Sequence, residues 1–243
     1  MNTPAAGGPC PECGVDNAAD HNFCKHCGTP LGGDSERAIA AGHAERTRDR
    51  WLEVLGSNPK SPQGHYNLGL AYYHLGQVGN AIRAFERVTQ LDDAYPGVHF
   101  QLAVCHYRRG AMAECARAAR RAIALNPASA PAHFRLALSL FHLGRLDEAA
   151  SAFEATLRAD PESIIAWYHL GVIRERQLDL AGAVRCFERV VAANPDDAAA
   201  HHHLGLAYRR RGLEGLAMSE LVRALEIDPS DTAALQELQE LQR

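Results

Sequence analysis

The chain has 243 residues, 47% of them hydrophobic and 22% charged, with a formal net charge of −4. That is enough apolar material for a continuous core, and the acidic balance exerts no global pull on nucleic acid. No stretch approaches the ~20 apolar residues of a membrane span, and seven cysteines, an odd number, argue against a disulfide framework.

Residues 1–9 carry neither a basic start nor an apolar run, so no secretory signal is visible and this stretch is expected to be disordered. The chain reads as cytoplasmic. Chemistry begins at Cys10-Pro-Glu-Cys13-Gly14, followed after ten intervening residues by Cys24-Lys-His-Cys27-Gly28. Two C-x-x-C pairs at this spacing point to one structural zinc on four thiolates. A two-residue spacer lets one tight turn aim both sulfurs at the same ion, and the glycine after each pair tolerates left-handed geometry. Backbone amides in such a turn can spread the thiolate charge. All four positions would be filled by protein, which makes the metal structural rather than catalytic. A redox dithiol would lack its βαβ context, a rubredoxin-like iron site would have a much longer gap between pairs, and His26 is the competing ligand. The phrasing Phe23, Cys24, Cys27, Gly28, Leu31 resembles the short zinc-ribbon modules that bacteria append to longer proteins, placing such a module at 10–31.

Residues 32–61 form a linker and a capping helix or degenerate half-repeat. Asp34 to Ser57 reads as helical, with Ile39, Trp51, Leu52, Val54 and Leu55 set among charges.

From Pro62 to Asp231 one 34-residue pattern repeats five times, over 62–95, 96–129, 130–163, 164–197 and 198–231. Positions 7 and 8 are Leu68-Gly69, Leu102-Ala103, Leu136-Ala137, Leu170-Gly171 and Leu204-Gly205. Position 20 is small in every copy (Ala81, Cys115, Ala149, Ala183, Ala217), and position 24 reads Phe85, Ala119, Phe153, Phe187 and Leu221. Apolar residues at helical spacing predict two helices per copy. Gly76, Gly110, Gly144 and Gly212 sit in the turn between them, where Leu178 predicts a less regular turn in the fourth copy. Asx-Pro pairs, Asn126-Pro127 for example, end the second helices. Residues 232–243 are expected to cap the last repeat, with Leu235 and Leu238 in first-helix phase.

A helix–turn–helix unit of this period resembles the tetratricopeptide repeat. The resemblance implies an all-α, right-handed solenoid of helix pairs preceded by the small ribbon, and a role in binding rather than chemistry. It also implies that first-helix positions 2, 5, 6, 9, 12 and 13 line a concave groove. Those slots give an aromatic platform of Tyr66, Phe100, Phe134 and Tyr168, with Asn67 and Arg135 beside it. Tyr73, Tyr107 and Phe141 follow, and Arg108, Arg176, Arg209 and Arg210 supply charge. Five arginines against Glu175 give the groove a formal +4, suited to a peptide with acidic and apolar side chains. In the competing arrangement the rings pack between adjacent repeats and the arginines are merely solvated. The carboxylate clamp of chaperone-binding relatives is matched only at Asn67 and Arg135, so chaperone-tail binding is not implied.

Position 4, the family tryptophan, is Trp167 in one copy and His65, His99, His133 and His201 in the others, read as packed rings replacing the indole. Cys105, Cys115 and Cys186 read as buried thiols, and Asp92-Asp93 and Asp196-Asp197 as helix caps. No P-loop, nucleophile elbow, zincin helix or dinucleotide fingerprint is present, so no catalytic residue and no small-molecule substrate are assigned. The expected function is a scaffold for a protein or peptide partner, without membrane contact. The alternative is a nucleic-acid-associated factor contacting its target through the ribbon. One cation, Lys25, among residues 1–33 disfavours it.

Overall fold

The computed structural model describes residues 8–9, 16–17 and 34–242, and the chain divides into two compact units, Met1–Pro127 and Ala128–Arg243. The four ribbon cysteines lie outside the described residues. In the first unit β1 (Gly8–Pro9) pairs antiparallel with β2 (Asp16–Asn17), Gly8 opposite Asn17 and Pro9 opposite Asp16. Pairing therefore begins two residues before the expected ribbon boundary, inside the stretch expected to be disordered.

Helix α1 (Asp34–Ser57) has the boundaries expected of the capping segment and packs on α2. Then come α2 (Pro62–His74), α3 (Val78–Leu91), α4 (Val98–Arg108) and α5 (Met112–Leu125). The second unit holds α6 (Ala130–His142), α7 (Leu146–Ala159), α8 (Ile164–Arg176) and α9 (Leu180–Ala193). It ends with α10 (Ala198–Arg210), α11 (Glu214–Ile227) and α12 (Thr232–Leu241). Each repeat is one helical hairpin. Helix α4 starts two residues into its repeat because Pro96-Gly97 fills the opening positions and Gly97, at φ 78°, serves as the N-cap. Side chains cap α2, α6, α9, α10 and α12, where Ser61, Ser129, Asp179, Asp197 and Asp231 each accept a first-turn backbone N–H.

The fourth turn departs from expectation. Leu178 adopts φ 61°, close to the 71–74° of Gly76, Gly110, Gly144 and Gly212, and the turn is regular. Its hydrogen bonds match as well: Asp179 N–H donates to the Arg174 carbonyl at 2.9 Å, as Gln77 N–H donates to Tyr72. Two packed helices fix the path of the three residues between them, so leucine is forced into a region that costs an L-residue ~1–2 kcal/mol.

The register seen in sequence is a packing register. Position 20 is fully buried in all five copies, and so is position 24. A Cβ on Gly69 would lie 2.6 Å from Phe85 Cε1, and one on Gly171 would lie 2.8 Å from Phe187 Cε1. Glycine stands at position 8 there because the ring occupies the space. At the end of the second unit Ala234 and Leu238 of α12 cover Leu221 and Ala224. Leu235, expected to help, is 43% exposed instead. Cys105, Cys115 and Cys186 are buried thiols, as expected. Burial pushes the Cys105 thiol up to about 12 and that of Cys186 to about 11, which keeps both protonated and inert. Among the described residues no helix is long and apolar enough to cross a membrane.

Candidate functional site

The position-5 rings stand edge-on to the position-24 rings of their own repeats. Tyr66 meets Phe85 at 5.6 Å between centroids, Phe134 meets Phe153 at 5.8 Å, and Tyr168 meets Phe187 at 5.9 Å. All three are half-buried, as is Phe100, whose repeat has Ala119 at position 24. The platform is therefore anchored within each hairpin, with only part of each ring left to a ligand.

Position 6 is partly buried, and two of its residues stack on the position-24 rings of the preceding repeat. His169 stacks on Phe153 at 5.4 Å and 11°, and His203 stacks on Phe187 at 5.2 Å and 9°. Phe134, Phe141 and Tyr168 also surround His169. Burial, assisted by nearby His142, pushes this imidazole down to about 4, so it behaves as a neutral aromatic. Arg135, placed in the groove as a charged contact, occupies the same slot and is only 5% exposed. Asn67 is half-buried.

Positions 12 and 13 keep the expected chemistry. The Arg108 guanidinium lies over the Tyr73 ring at 5.3 Å, and that of Arg176 over Phe141 at 4.9 Å. Both are cation–π contacts, and both arginines are exposed. Tyr73 itself is 5% exposed and belongs to the core of the first unit, so it offers no free face. Tyr107 is half-buried.

Arg209 and Arg210, expected to be free for a ligand, are consumed within the second unit. Arg209 pairs with Glu237 and, at 2.6 Å, with Glu240 of α12. Arg210 pairs with Glu175 at 2.9 Å. Glu175 is buried and also bonded to His203 Nδ1 at 3.0 Å. Burial raises its carboxyl, but the His203 bond, the His203 and Arg210 charges and that of His202 outweigh this and hold it below the usual range. Two further histidines of α10 also meet carboxylates: His201 Nδ1 lies 2.6 Å from Glu220 and His202 Nδ1 lies 2.7 Å from Asp231. Of the five expected groove cations, only Arg108 and Arg176 are both exposed and without an ion pair among the described residues.

One sequence signal bears on Arg209. Glu237 and Glu240 fall at positions 6 and 9 of a sixth repeat register, on the helix that follows Arg209 in the stack. The junction carboxylates also divide their roles: Asp197 caps α10, whereas Asp196 pairs with Arg223 at 2.9 Å and Asp93 with Arg121 and His99.

Tandem helical hairpins on a 34-residue register, with cations and rings on one row of slots, define a helix–turn–helix repeat protein. The tetratricopeptide repeat model matches residues 34–99, 134–184 and 168–232, more than half of the sequence, and the chain belongs to that family. A model for anaphase-promoting complex, cyclosome, subunit 3 matches residues 76–156. Among solved structures the chain is similar to YrrB, a TPR protein with an unusual peptide-binding site. The TM-score is 0.72 at 15% identity, over 78% of this chain and 97% of that one. It is also similar to MamA from Desulfovibrio magneticus RS-1, with TM-score 0.64 and 19% identity over 70% and 97%. The APC/C hetero-tetramer Cut9–Hcn1 gives TM-score 0.57 and 16% identity over 84% and 41%. At these identities the likeness is one of fold. No curated protein is matched by the sequence.

Proposed function

We propose that this protein is a non-enzymatic scaffold that binds a peptide segment of a partner protein through its first-helix faces. Acidic and apolar side chains of such a segment would meet Arg108 and the exposed edges of Tyr66 and Phe100 on the first unit, or Arg176 and the exposed edges of Phe134 and Tyr168 on the second. The carrying observation is the repeated placement of an exposed, ion-pair-free arginine over an aromatic ring at positions 13 and 12, at Arg108–Tyr73 and again at Arg176–Phe141. Each guanidinium is preoriented and available for a charge-assisted hydrogen bond contributing ~1.5–3 kcal/mol. YrrB, of the same fold, is a TPR protein with a peptide-binding site, which supports this reading.

The second module is a ribbon in which Cys10, Cys13, Cys24 and Cys27 hold one zinc. The β1–β2 pairing brackets Cys10 and Cys13 in the sequence, as a metal-clipped hairpin requires. Four thiolates close the tetrahedral shell of the ion, so its contribution is to fold the module.

The test uses a partner captured by pull-down and identified by mass spectrometry. The Arg108→Glu, Arg176→Glu double variant should weaken its binding by about tenfold or more, with the helical signal unchanged. Arg209 is left out of the variant because its pairs hold α12. Binding that survives this charge reversal but disappears on removal of residues 1–33 would make the ribbon the receptor.

A further inference from the structure

On the second unit a cleft of about 580 Å³ opens between α7, α8 and α9, and it shares no residue with the first-helix slots above. Its size is that of a ligand pocket. Helix α8 contributes Trp167, Leu170 and Arg174, spaced three and four apart on one face. Leu157 and the inert Cys186 complete an apolar floor.

Four guanidiniums, of Arg158, Arg174, Arg185 and Arg189, line the cleft against the single carboxylate of Glu154. This is a formal +3 on a chain of −4. Arg174 is committed to Glu154, and more loosely to Asp179 at 3.7 Å. The other three are exposed and form no ion pair among the described residues. Arg189 lies 5.9 Å from the Trp167 ring centroid. The corresponding arginines of other repeats, Arg121 and Arg223, are taken up by Asp93 and Asp196 at the repeat junctions. At the junction before Trp167, Pro161 stands in the register of Asp93, and Glu162, in the register of Asp196, forms no ion pair with Arg189, which faces the cleft. One repeat further on, the equivalent cleft is lined by His201, Glu220, Arg223 and Glu226 and is not cationic.

We propose that this cleft is a second binding site, for an acidic peptide segment whose carboxylates engage Arg158, Arg185 and Arg189 while an apolar side chain enters against Trp167, Leu157 and Leu170. Unpaired guanidinium forks match carboxylates bidentately, and the apolar floor needs a ligand with a hydrophobic body. A nucleic-acid strand would need a cationic track with stacking rings along it. Here the positive charge ends after one repeat and only one ring is present.

The experiment uses the full chain with Trp51→Phe, which leaves Trp167 as the single tryptophan reporter. The probe is a dye-labelled, tryptophan-free peptide alternating Glu and Leu, read by Trp167 emission and by dye anisotropy. Saturable binding is expected, weakening with salt. The Gln-for-Glu peptide and the Arg185→Glu, Arg189→Glu double variant should each bind about tenfold more weakly or worse as read by Trp167 emission. The proposal is overturned by equal binding of the Gln peptide or by full affinity in the Arg185/Arg189 variant. It is likewise overturned by loss of the Trp167 response in the Arg108/Arg176 variant, by inorganic phosphate reproducing the whole emission change, or by tighter binding of an oligouridine. Because the two double variants alter different faces, failure here is separable from failure of the first-helix site.

Discussion

Trp167 Nε1 donates a 2.8 Å hydrogen bond to the carbonyl of Pro161, six residues earlier and across a repeat junction. Histidine makes the same bond at the same register: His65 Nε2 to Pro59, His99 Nε2 to Asp93 and His201 Nε2 to Pro195, at 2.9–3.1 Å. The slot requires a flat ring with an N–H at one edge, because that donor satisfies a carbonyl left open where the preceding helix has ended. Imidazole meets the requirement with less buried volume than indole. In the one repeat that retains the indole, the larger ring also forms a wall of the arginine-lined cleft.

The left-handed Leu178 is a stored cost. Replacing it with glycine removes the ~1–2 kcal/mol backbone penalty and returns ~0.5–1 kcal/mol through a more flexible unfolded chain. Leu178→Gly should therefore raise stability by ~0.5–1 kcal/mol, and it removes a side chain that is 76% exposed. Chemical denaturation reads the change, and a variant less stable than the parent would show that the leucine side chain contributes packing not visible in its exposure.

Phe153 is fully buried, flanked by Phe134 on one edge and the His169 face on the other. Truncation to alanine should cost ~3–5 kcal/mol, the range for a large ring removed from a core. A loss under ~1 kcal/mol in the same measurement would contradict the interior role of position 24.

Acid should weaken the second unit through His169. Its folded value of about 4 lies below the ordinary 6.5, so between these the unfolded chain binds the extra proton. Stability therefore rises with pH across this window and is lost as pH falls from 6.5 towards about 4, by at most ~3 kcal/mol. Glu175 and Asp231, both held below the usual carboxylate range, add losses at lower pH with the same sign. His169→Phe keeps the ring stack and removes the titrating group. Urea midpoints followed from neutral to mildly acidic pH should flatten in that variant, and an unchanged slope would assign the acid sensitivity elsewhere.

Purified protein should carry about one zinc equivalent per chain, lost on Cys24→Ser. Chelation should unfold residues 10–31 and leave the helical circular dichroism largely intact, since the helices have cores of their own. Metal-free protein prepared under reducing conditions with zinc present would refute the site.

The period, the helix boundaries and the identity of the buried positions were legible in the sequence because they are local and repeated. A small residue facing a phenylalanine, or a cap before a helix, is set by neighbours at fixed spacing, and five copies make each spacing visible. The groove cations were legible only as residue types. Whether an arginine is free depends on which carboxylate the next hairpin brings within reach, and that is tertiary: Glu240 took Arg209, Glu175 took Arg210, and Arg135 went inside. The same contingency left Arg158, Arg185 and Arg189 without an ion pair among the described residues beside Trp167. Backbone geometry at Leu178 was also decided by the fold, because packing of two helices outweighs the preference of one residue. Local periodicity determined the scaffold, and long-range charge pairing determined which of its surfaces remain open to a partner.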